Sequence, residues 1–218
     1  MDSVSGVGVL DKAVSLLRAL ERRGPLGLSE LQQAIGVPRA TTHRLAVALE
    51  QHGLVRRDTA GRFELGLGLI GLGRSAAERF PVAALARDAM EALRDRTGED
   101  VQLFIRDGDA RRCVLSLQSG HALRWIVPEG ALLPLDRGSA GRVLTRLPGR
   151  RQSPWIESVE EREKGVASVS APVCDSLGVV LAAVSIAGPV ERLTRSPGRR
   201  FGAAVVAAAE EIARRLAG

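Results

Sequence analysis

Nucleophiles and metal ligands are scarce in this chain of 218 residues. It contains two cysteines, Cys113 and Cys174, and three histidines, His43, His52 and His121. No histidine stands at a spacing from a cysteine that is typical of a nucleophile–base pair or a metal site. We therefore expect inert thiols, no disulfide scaffold, no metal and no catalytic residue.

One glycine-rich segment has the spacing of a phosphate-binding loop. Residues 66–71, Gly-Leu-Gly-Leu-Ile-Gly, read G-x-G-x-x-G after a strand-like run and before a helical one. The next strand-like run begins only near Val101, too far away for a compact βαβ unit of about 30 residues. We favour a helix whose leucines pack beneath the preceding hairpin (Leu65, Leu69 and Leu72), and we expect no cofactor.

The remaining chemistry belongs to arginine, because 29 of the 31 basic residues are Arg and only Lys12 and Lys164 are Lys. The net charge is +6, and it divides evenly. Residues 1–80 carry 11 bases and 8 acids, and residues 81–218 carry 20 bases and 17 acids, so that each part is +3. The amount of charge identifies no partner, and only the positions of the arginines are informative.

Length and composition predict one large domain or two small ones, because 45% of the residues are apolar. This excludes disorder as the main description. No apolar run reaches the roughly 18 residues that span a bilayer, and the first residues lack the pattern of a signal peptide. We expect a cytoplasmic protein with no membrane partner.

The first eighty residues predict helix, helix, tight turn, helix. The first helix runs from Val9 to Arg23, and Gly24-Pro25 ends it. A capping-box spacing, Ser29 to Gln32, opens the second helix. The third begins near Pro38 and runs to His52 before Gly53. The expected inward residues are Val9, Ala13, Leu16, Leu17 and Leu20 in the first helix, and Leu28, Leu31 and Ile35 in the second.

The third helix has the pattern of a recognition helix. On a helical wheel Leu45, Ala48 and Leu49 face inward, and the opposite face is small and basic at its N-terminal end (Arg39, Ala40, His43 and Val47). Such a face can enter the major groove, where Arg can bind guanine through two hydrogen bonds. Arg44, at the flank, suits a phosphate.

A β-hairpin follows, with residues 54–56 paired with residues 62–65 across the turn Asp58-Thr59-Ala60-Gly61. This hairpin would be a wing whose arginines contact the DNA backbone or minor groove. Arginines that only solvate a hairpin are an equally open interpretation. The predicted DNA-binding residues are Arg39, Thr41, Thr42, His43, Arg44, Arg56, Arg57 and Arg62.

The second half predicts an antiparallel sheet with helices on its faces. A helix that contains Leu85, Met90 and Leu93 ends at Thr97-Gly98, and a long helix, 203–216, closes the chain. The predicted strands are 101–106, 113–117, 123–127, 167–173 and 179–186.

Small residues suggest a ligand site in this half. Gly138, Ser139, Ala140 and Gly141 open a helix whose free N–H groups favour a carboxylate. Hydroxyls on two apolar strands, Ser168, Ser170 and Ser185, would need partners if buried. Serines that only permit close packing are the open alternative.

Several of these segments together resemble the isocitrate-lyase-regulator (IclR) family of bacterial transcription regulators. They are residues 26–73, GVASVSAPV at 165–173, VSIAGP at 184–189 and RLT at 192–194. GVGVLDKA at 6–13, HRLAVALE at 43–50 and the same GVASVSAPV at 165–173 are similar to the actinobacterial NdgR branch.

The resemblance implies an α+β protein with a winged helix-turn-helix DNA-binding domain at 1–66 and a linker helix at 67–81. A GAF-like effector and oligomerisation domain follows at 82–218. It further implies a homodimer or dimer of dimers that binds double-stranded DNA at a nearly palindromic operator and a small carboxylate or amino-acid-related effector. The likeness to the NdgR branch implies that the protein regulates genes of amino-acid metabolism, those of leucine biosynthesis foremost.

The chain differs from the family pattern at three positions. Ser168 replaces a frequent Cys, Ser158 replaces an acid and Ala187 replaces a Ser, so Ser158 joins the expected effector-binding residues. Segment 147–155 is shorter than usual, which predicts either an open, weakly binding pocket or one closed by Trp125 and Trp155.

Two alternative functions stay open. One is a DNA-binding dimer whose C-terminal domain only oligomerises. The less favoured one is an enzyme with an accessory winged helix and a cysteine nucleophile.

Overall fold

The computed structural model describes residues 7–78, 82–147 and 153–217. The chain divides into two compact units, with the boundary between residues 79 and 80. Within the described ranges, no helix is long and apolar enough to cross a membrane. The overall α+β class and the predicted order of helices and hairpin in the first unit are confirmed.

The N-terminal unit consists of four helices and a two-stranded hairpin. Its elements are α1 (Gly8–Arg23), α2 (Leu28–Ile35), α3 (Arg39–Gln51), β1 (Val55–Arg57), β2 (Phe63–Leu65) and α4 (Gly68–Glu78). Leu16, Leu31 and Phe63 are almost completely buried and join the first three helices to the hairpin in one core. In the hairpin, Arg56 pairs with Glu64 and Arg57 with Phe63.

The inward residues of α1 begin later than predicted. Leu16 and Leu20 are buried as expected, but Val9 is 60% exposed, and its neighbours Leu10 and Val14 are also exposed. The eight residues of α2 span about 12 Å and the sixteen of α1 about 24 Å. The shorter helix therefore cannot cover the whole apolar stripe of α1.

Two further details of the helices differ from prediction. The Ser29–Gln32 capping box is wrong, because α2 begins at Leu28 and the Gly27 N–H donates to Glu30 Oε2 over 2.7 Å. In α3, Ala46 is buried and Ala48 is exposed. The buried stripe of α3 is Thr42, Ala46 and Leu49. The inward face of the helix is therefore rotated by a fraction of a turn from the predicted one.

Two of the three glycines of 66–71, Gly66 and Gly68, permit close packing of the backbone. A Cβ on Gly66 would lie 2.2 Å from the carbonyl oxygen of Gly53. The Gly66 N–H donates to Leu54 O and the Gly68 N–H to Gly53 O, at 2.9 and 3.0 Å. These N–H groups are used by the protein itself, as the preference against a phosphate loop implied. The expected packing of Leu72 beneath the hairpin is wrong, because Leu72 is 61% exposed.

The C-terminal unit contains a six-stranded antiparallel sheet in the order β5-β4-β3-β8-β7-β6. The strands are β3 (Asp100–Asp107), β4 (Ala110–Leu117), β5 (Leu132–Pro134), β6 (Ile156–Val159), β7 (Val166–Cys174) and β8 (Val180–Pro189). The helices are α5 (Val82–Thr97), α6 (Ser139–Leu144), α7 (Val190–Leu193) and α8 (Pro197–Ala217).

The two faces of this sheet have different residues. Val169, Val184 and Ile186 lie in the main core together with residues of α5 and α8. Because side chains alternate along a strand, Ser168, Ser170 and Ser185 belong to the opposite face, where α6 lies. Each face therefore has its own core, and the second one is partly polar.

A β-bulge changes which residues of β4 reach the second face. Leu103 pairs with Leu115 and Phe104 with Cys113, so Val114 is the extra residue. Leu115 then belongs to the main core, and Cys113 lies with α6 in the smaller one. By the same alternation Arg111 also comes to the α6 side.

The predicted strand at 123–127 is wrong. Asp100 accepts hydrogen bonds from the N–H groups of Ser119 (2.6 Å) and Trp125 (3.0 Å), so a carboxylate replaces a neighbouring strand as partner. Strands β5 and β6, of only three and four residues, were not predicted. The last helix begins at Pro197, earlier than expected.

Replacing Gly66 by Ala should destabilise the N-terminal unit by about 2 kcal/mol or more, because backbone atoms must move to admit the Cβ. Gly71→Ala is the matched control. Nothing lies within 4 Å of its Cβ, and it should stabilise α4 by up to about 1 kcal/mol.

Urea unfolding, followed by two spectroscopic signals, distinguishes the N-terminal unit from the C-terminal one. Circular dichroism follows both units, whereas tryptophan fluorescence follows only the C-terminal one, since Trp125 and Trp155 are the only tryptophans. Equal unfolding midpoints for the two variants would contradict the tight packing at Gly66.

Candidate functional sites

The outer face of α3 is exposed and basic in its first half. Arg39, His43 and Arg44 are exposed, Thr41 is partly exposed, and the first turn has no acidic residue. Arg39 Nη1 donates to Ser29 Oγ of α2 over 2.8 Å, which orients the guanidinium across the turn. In the part of the chain that the structure describes, Arg44 forms no ion pair. This face can therefore accept an anion without losing an internal partner.

Thr42 has to be removed from the predicted DNA-binding residues. Its side chain is fully buried, and its hydroxyl donates to the carbonyl oxygens of Val37 (3.1 Å) and Pro38 (3.2 Å). The residue fastens the first turn of α3 to the preceding chain. The spacing from Thr42 to Leu49, two helical turns, places both residues on the same side of α3, so the sequence itself favours an inward position for Thr42.

The three arginines of the wing are exposed but paired. Arg56 contacts Glu64 at 2.8 Å, Arg57 contacts Glu50 at 3.3 Å and Arg62 contacts Asp58 at 2.8 Å. Such surface ion pairs stabilise a protein by at most about 1 kcal/mol, so a phosphate can replace the carboxylate. Both interpretations from the sequence, solvated arginines and DNA contacts, fit these pairs.

Asp58 also shapes the turn of the wing. Its Oδ1 accepts the N–H groups of Ala60 and Arg62, each at 2.9 Å. The backbone hydrogen bond from Arg62 is the main cause that lowers the pKa of this carboxyl group. Arg57 is held from a second side, since its guanidinium lies 4.3 Å from the centre of the Phe63 ring. The wing therefore presents its arginines in fixed positions.

In the C-terminal unit four serines form a connected group. Ser139 Oγ lies 2.7 Å from both Ser168 Oγ and Ser170 Oγ, and Ser170 Oγ donates to Ser185 Oγ over 2.9 Å. These hydroxyls come from α6, β7 and β8, so the hydrogen bonds hold the start of α6 on the sheet. They bond one another rather than the local backbone.

A small cavity of about 30 Å³ lies beside this serine group. It has room for about two water molecules. Of the predicted effector-binding residues, Gly138, Ser139, Ala140, Ser158, Ser168 and Ser185 line it, whereas Gly141 and Ser170 do not. The choice between an open pocket and one closed by the tryptophans stays a prediction, since residues 148–152 lie outside the described ranges.

The two tryptophans that were expected near the pocket differ in position. Trp125 lines the cavity. Trp155 lies against α8, where a Cβ on Gly198 or Gly202 would come within 2.6 Å of its ring atoms. The shortened segment falls partly on residues 148–152, outside the described residues.

One N–H group at the start of α6 already has a carboxylate partner within the chain. The Gly138 N–H donates to Glu161 Oε2 over 3.1 Å, and Glu161 Oε1 pairs with Arg142 at 2.9 Å. Gly141 permits close packing, because a Cβ there would lie 2.2 Å from the carbonyl oxygen of Leu135 and 2.4 Å from Arg111 Nη1. The glycines thus make room for an arginine.

Arg111 is the most unusual residue of the cavity, and we did not predict it. It is 3% exposed, and within the described ranges no carboxylate lies within 4 Å of it. Burial, followed by the charge of Arg162, lowers the pKa of Arg111 to about 10, so it remains charged at neutral pH. Its Nη1 donates to the carbonyl oxygens of Pro134 and Arg137, and its Nε has no partner.

Two further polar residues of the cavity, Gln102 and Arg162, were also missed. Gln102 is 1% exposed, and neither its Oε1 nor its Nε2 has a hydrogen-bond partner. Trp125 Nε1 is likewise unpaired, and the Arg162 guanidinium lies 5.0 Å from the centre of the Trp125 ring. Burial lowers the pKa of Arg162.

Unpaired buried groups of this kind cost about 1 to 3 kcal/mol each. They therefore indicate a place for a polar molecule. The sequence contained one signal that could have identified Gln102: it is a polar residue between Val101 and Leu103 in an apolar strand.

The two thiols are not activated. Burial, followed by the charge of Glu129, raises the pKa of Cys113 to about 12, and burial also raises the pKa of Cys174. A thiol without a lowered pKa is a poor nucleophile. Among the residues that can be described, no cluster of three His, Cys, Asp or Glu could hold a metal ion.

Comparison with known proteins agrees with this arrangement. Residues 9–59 match the IclR helix-turn-helix domain, and residues 74–149 and 145–214 match the C-terminal domain of the bacterial transcriptional regulator IclR. The chain belongs to the IclR family. Its members are transcriptional regulators rather than enzymes, so the cysteine-nucleophile alternative is not supported.

Two curated relatives and one solved structure show how far this IclR-family chain resembles others. It is 30% identical to the regulator KipR of Bacillus subtilis over 74% of this chain and 65% of KipR. It is 26% identical to the repressor IclR of Escherichia coli over 93% of this chain and 88% of that protein. An IclR homologue from Microbacterium hydrocarbonoxydans, complexed with 4-hydroxybenzoate, superposes with a TM-score of 0.78 at 19% identity, covering 95% and 98% of the two chains.

Replacing Thr42 by Val in this IclR-family protein should lower the free energy of unfolding of the N-terminal unit by about 1 kcal/mol, because a buried hydroxyl is lost without a change of shape. Thr42→Ser keeps the hydroxyl and is the control. DNA affinity, measured where both variants are folded, should equal that of the wild type. A large loss of affinity in folded Thr42→Val would return Thr42 to the DNA-contacting residues.

Proposed function

We propose that this IclR-family regulator binds operator DNA through α3 and the wing and responds to a small carboxylate held in the cavity of its C-terminal unit. The exposed basic face of α3 is the observation that carries the DNA part. Residues 1–66 would be the DNA-binding domain, residues 67–81 the linker helix and residues 82–218 the effector domain.

The DNA contacts divide by position. Arg39, at the first turn of α3, is placed to reach base edges, together with Thr41 and His43. Arg44 and the wing arginines (Arg56, Arg57 and Arg62) would bind phosphates, which fix the orientation of a protein on DNA without reading its sequence. For each wing arginine, binding exchanges an exposed ion pair for a phosphate.

The assembly would be a homodimer or a dimer of dimers. Apolar side chains at the start of α1 (Val9, Leu10 and Val14) and in and before α4 (Leu67, Ile70 and Leu72) are exposed in the single chain. Exposed apolar side chains on these helices favour association with a second copy. Two copies present two recognition helices and so favour a nearly palindromic operator.

The charge of the cavity supports a carboxylate effector. Arg111 and Arg162 line it, against one lining carboxylate, that of Glu163. The homologue that was solved with 4-hydroxybenzoate holds a ligand with a carboxylate group. Because Ser158, Ser168 and Ala187 depart from the family pattern, the effector would differ from those of better-known members.

The regulated genes would be those of amino-acid metabolism, with leucine biosynthesis foremost. The support is the likeness of residues 6–13, 43–50 and 165–173 to the NdgR branch. As a protein that acts on bacterial DNA, it would work in the cytoplasm.

Gel-shift and footprinting experiments with the DNA upstream of its own and neighbouring genes test the regulator function. We expect binding that exceeds binding to random DNA by at least about a thousandfold at physiological salt, with two protected half-sites. Binding without sequence preference would refute the operator proposal, and one asymmetric half-site would refute the dimer.

Arg39→Ala and Arg44→Ala form a matched pair on the same helix. Arg39→Ala should relax base preference at one position of each half-site, because a base contact is lost. Arg44→Ala should weaken binding to all sequences similarly and flatten the dependence on salt, because a phosphate contact is lost. Affinities for a set of single-base operator variants at several salt concentrations measure both effects. Identical profiles for the two variants would contradict the separate roles.

A further inference from the structure

The cavity contains an uncharged recognition element in addition to its cations. We propose that Gln102 reads an amide-like group of the effector, so that the ligand is a small carboxylate that also carries a carboxamide or a similar donor–acceptor pair. This inference rests on the proposed binding of an effector in the same cavity and specifies the chemistry of that effector.

Gln102 is placed by the sheet and cannot find a partner within it. It lies on β3, opposite Ser116 of β4 and Ser185 of β8. Ser185 Oγ accepts a hydrogen bond from Ser170 Oγ, and neither of the two facing serines bonds to Gln102. A glutamine side chain offers two N–H donors and an oxygen with two lone pairs, and here all of them remain unused at 1% exposure.

The arrangement of these unused groups defines what can bind. A carboxamide presents a donor and an acceptor side by side, and the best complement is another group with the same pair in the opposite order, such as a primary amide or a lactam. A methyl group in place of the amide NH2 leaves Oε1 of Gln102 without a donor, whereas the neighbouring carbonyl oxygen can still accept from Nε2. A carboxylate satisfies the N–H and faces the Oε1 atom with negative charge.

The charged part of the ligand would lie toward Arg111. The Nε of Arg111 is buried without a partner, and within the described residues its charge is not balanced by a carboxylate within 4 Å. Arg162 adds a second cation, and Glu163 is the acid that lines the cavity. Glu161 is engaged with Gly138 and Arg142. Among the lining residues two cations face one acid, and Asp136, outside the lining, offsets part of the charge of Arg111, so the cavity favours a small anion.

The size of the cavity restricts the ligand to very small molecules. Its volume of about 30 Å³ is that of about two waters, so even a small ligand must displace the side chains around it. Oxamate is among the smallest molecules with both a carboxylate and a carboxamide. Pyruvate, oxalate and oxamide have the same number of non-hydrogen atoms and a similar shape, and each changes one or both ends.

Isothermal titration of the full-length protein with these compounds tests the proposal. Oxamate should bind at least about tenfold more tightly than pyruvate, which lacks the amide, and than oxamide, which lacks the charge. Oxalate, a dianion, should also bind more weakly than oxamate. Oxamate binding no tighter than pyruvate binding would overturn the role of Gln102.

Two variants test whether Gln102 causes the preference for oxamate over pyruvate. Gln102→Met keeps the approximate volume and removes both polar groups, so the affinity for oxamate should fall by more than the affinity for pyruvate, and the selectivity between the two should be lost. The melting temperature of the free protein should not fall, since two unpaired buried atoms are removed. Gln118→Met, at an exposed position of the same unit, is the control and should keep the selectivity. Selective oxamate binding by Gln102→Met would refute the proposal.

The outcome also separates this inference from the proposed function. If none of the anions binds and the protein still recognises its operator, the amide-bearing carboxylate is refuted and DNA-binding regulation stands. If operator recognition fails while oxamate binds selectively, the regulator function is refuted and the specificity of the pocket stands.

Discussion

A buried arginine without a carboxylate partner is the constraint around which the second face of the sheet is organised. Arg111 reaches that face because the bulge at Val114 reverses the alternation of β4. Its charge is stabilised by carbonyl oxygens of residues 134 and 137. The chain passes close to the guanidinium only because Gly141 has no side chain. Burial of an unpaired charge is expensive, and the lowered pKa of Arg111 is a measure of that cost.

In the N-terminal unit, by contrast, the buried polar group has hydrogen-bond partners and the arginines are exposed. Its buried polar group, the Thr42 hydroxyl, is satisfied by two carbonyl oxygens, and its arginines lie on the surface, where pairing contributes little. Stability there comes from Leu16, Leu31 and Phe63 in the core. The surface charges are therefore free to change partners without a loss of fold. A DNA-binding domain requires this property, and a ligand pocket does not.

The sequence predicted the helices and the hairpin of the first unit well, because their apolar periodicity and their terminal glycines agree. The start of α2 at Leu28 was missed because Gly27 has no side chain that signals a cap. The false strand at 123–127 has apolar residues at strand spacing, and only the distant carboxylate of Asp100 shows where its N–H groups bond. Contacts between residues far apart in the chain are not encoded in local patterns.

Only part of the candidate pocket was predictable, because only some of its residues stand out in the local sequence. The small residues at 138–140 and the serines of β7 and β8 show a composition that stands out locally, and most of them line the cavity. Gln102 stands between two apolar residues and Arg111 between Ala110 and Arg112, and neither pattern decides whether the side chain is exposed or buried. The bulge and the two-sided packing of the sheet decide between these positions. A family pattern rich in hydroxyls and acids suggests a site that reads oxygen-rich anions, whereas here the acid is replaced by Ser158 and an unpaired amide lies nearby. The chemistry of this pocket therefore follows from residues that only the folded sheet brings together.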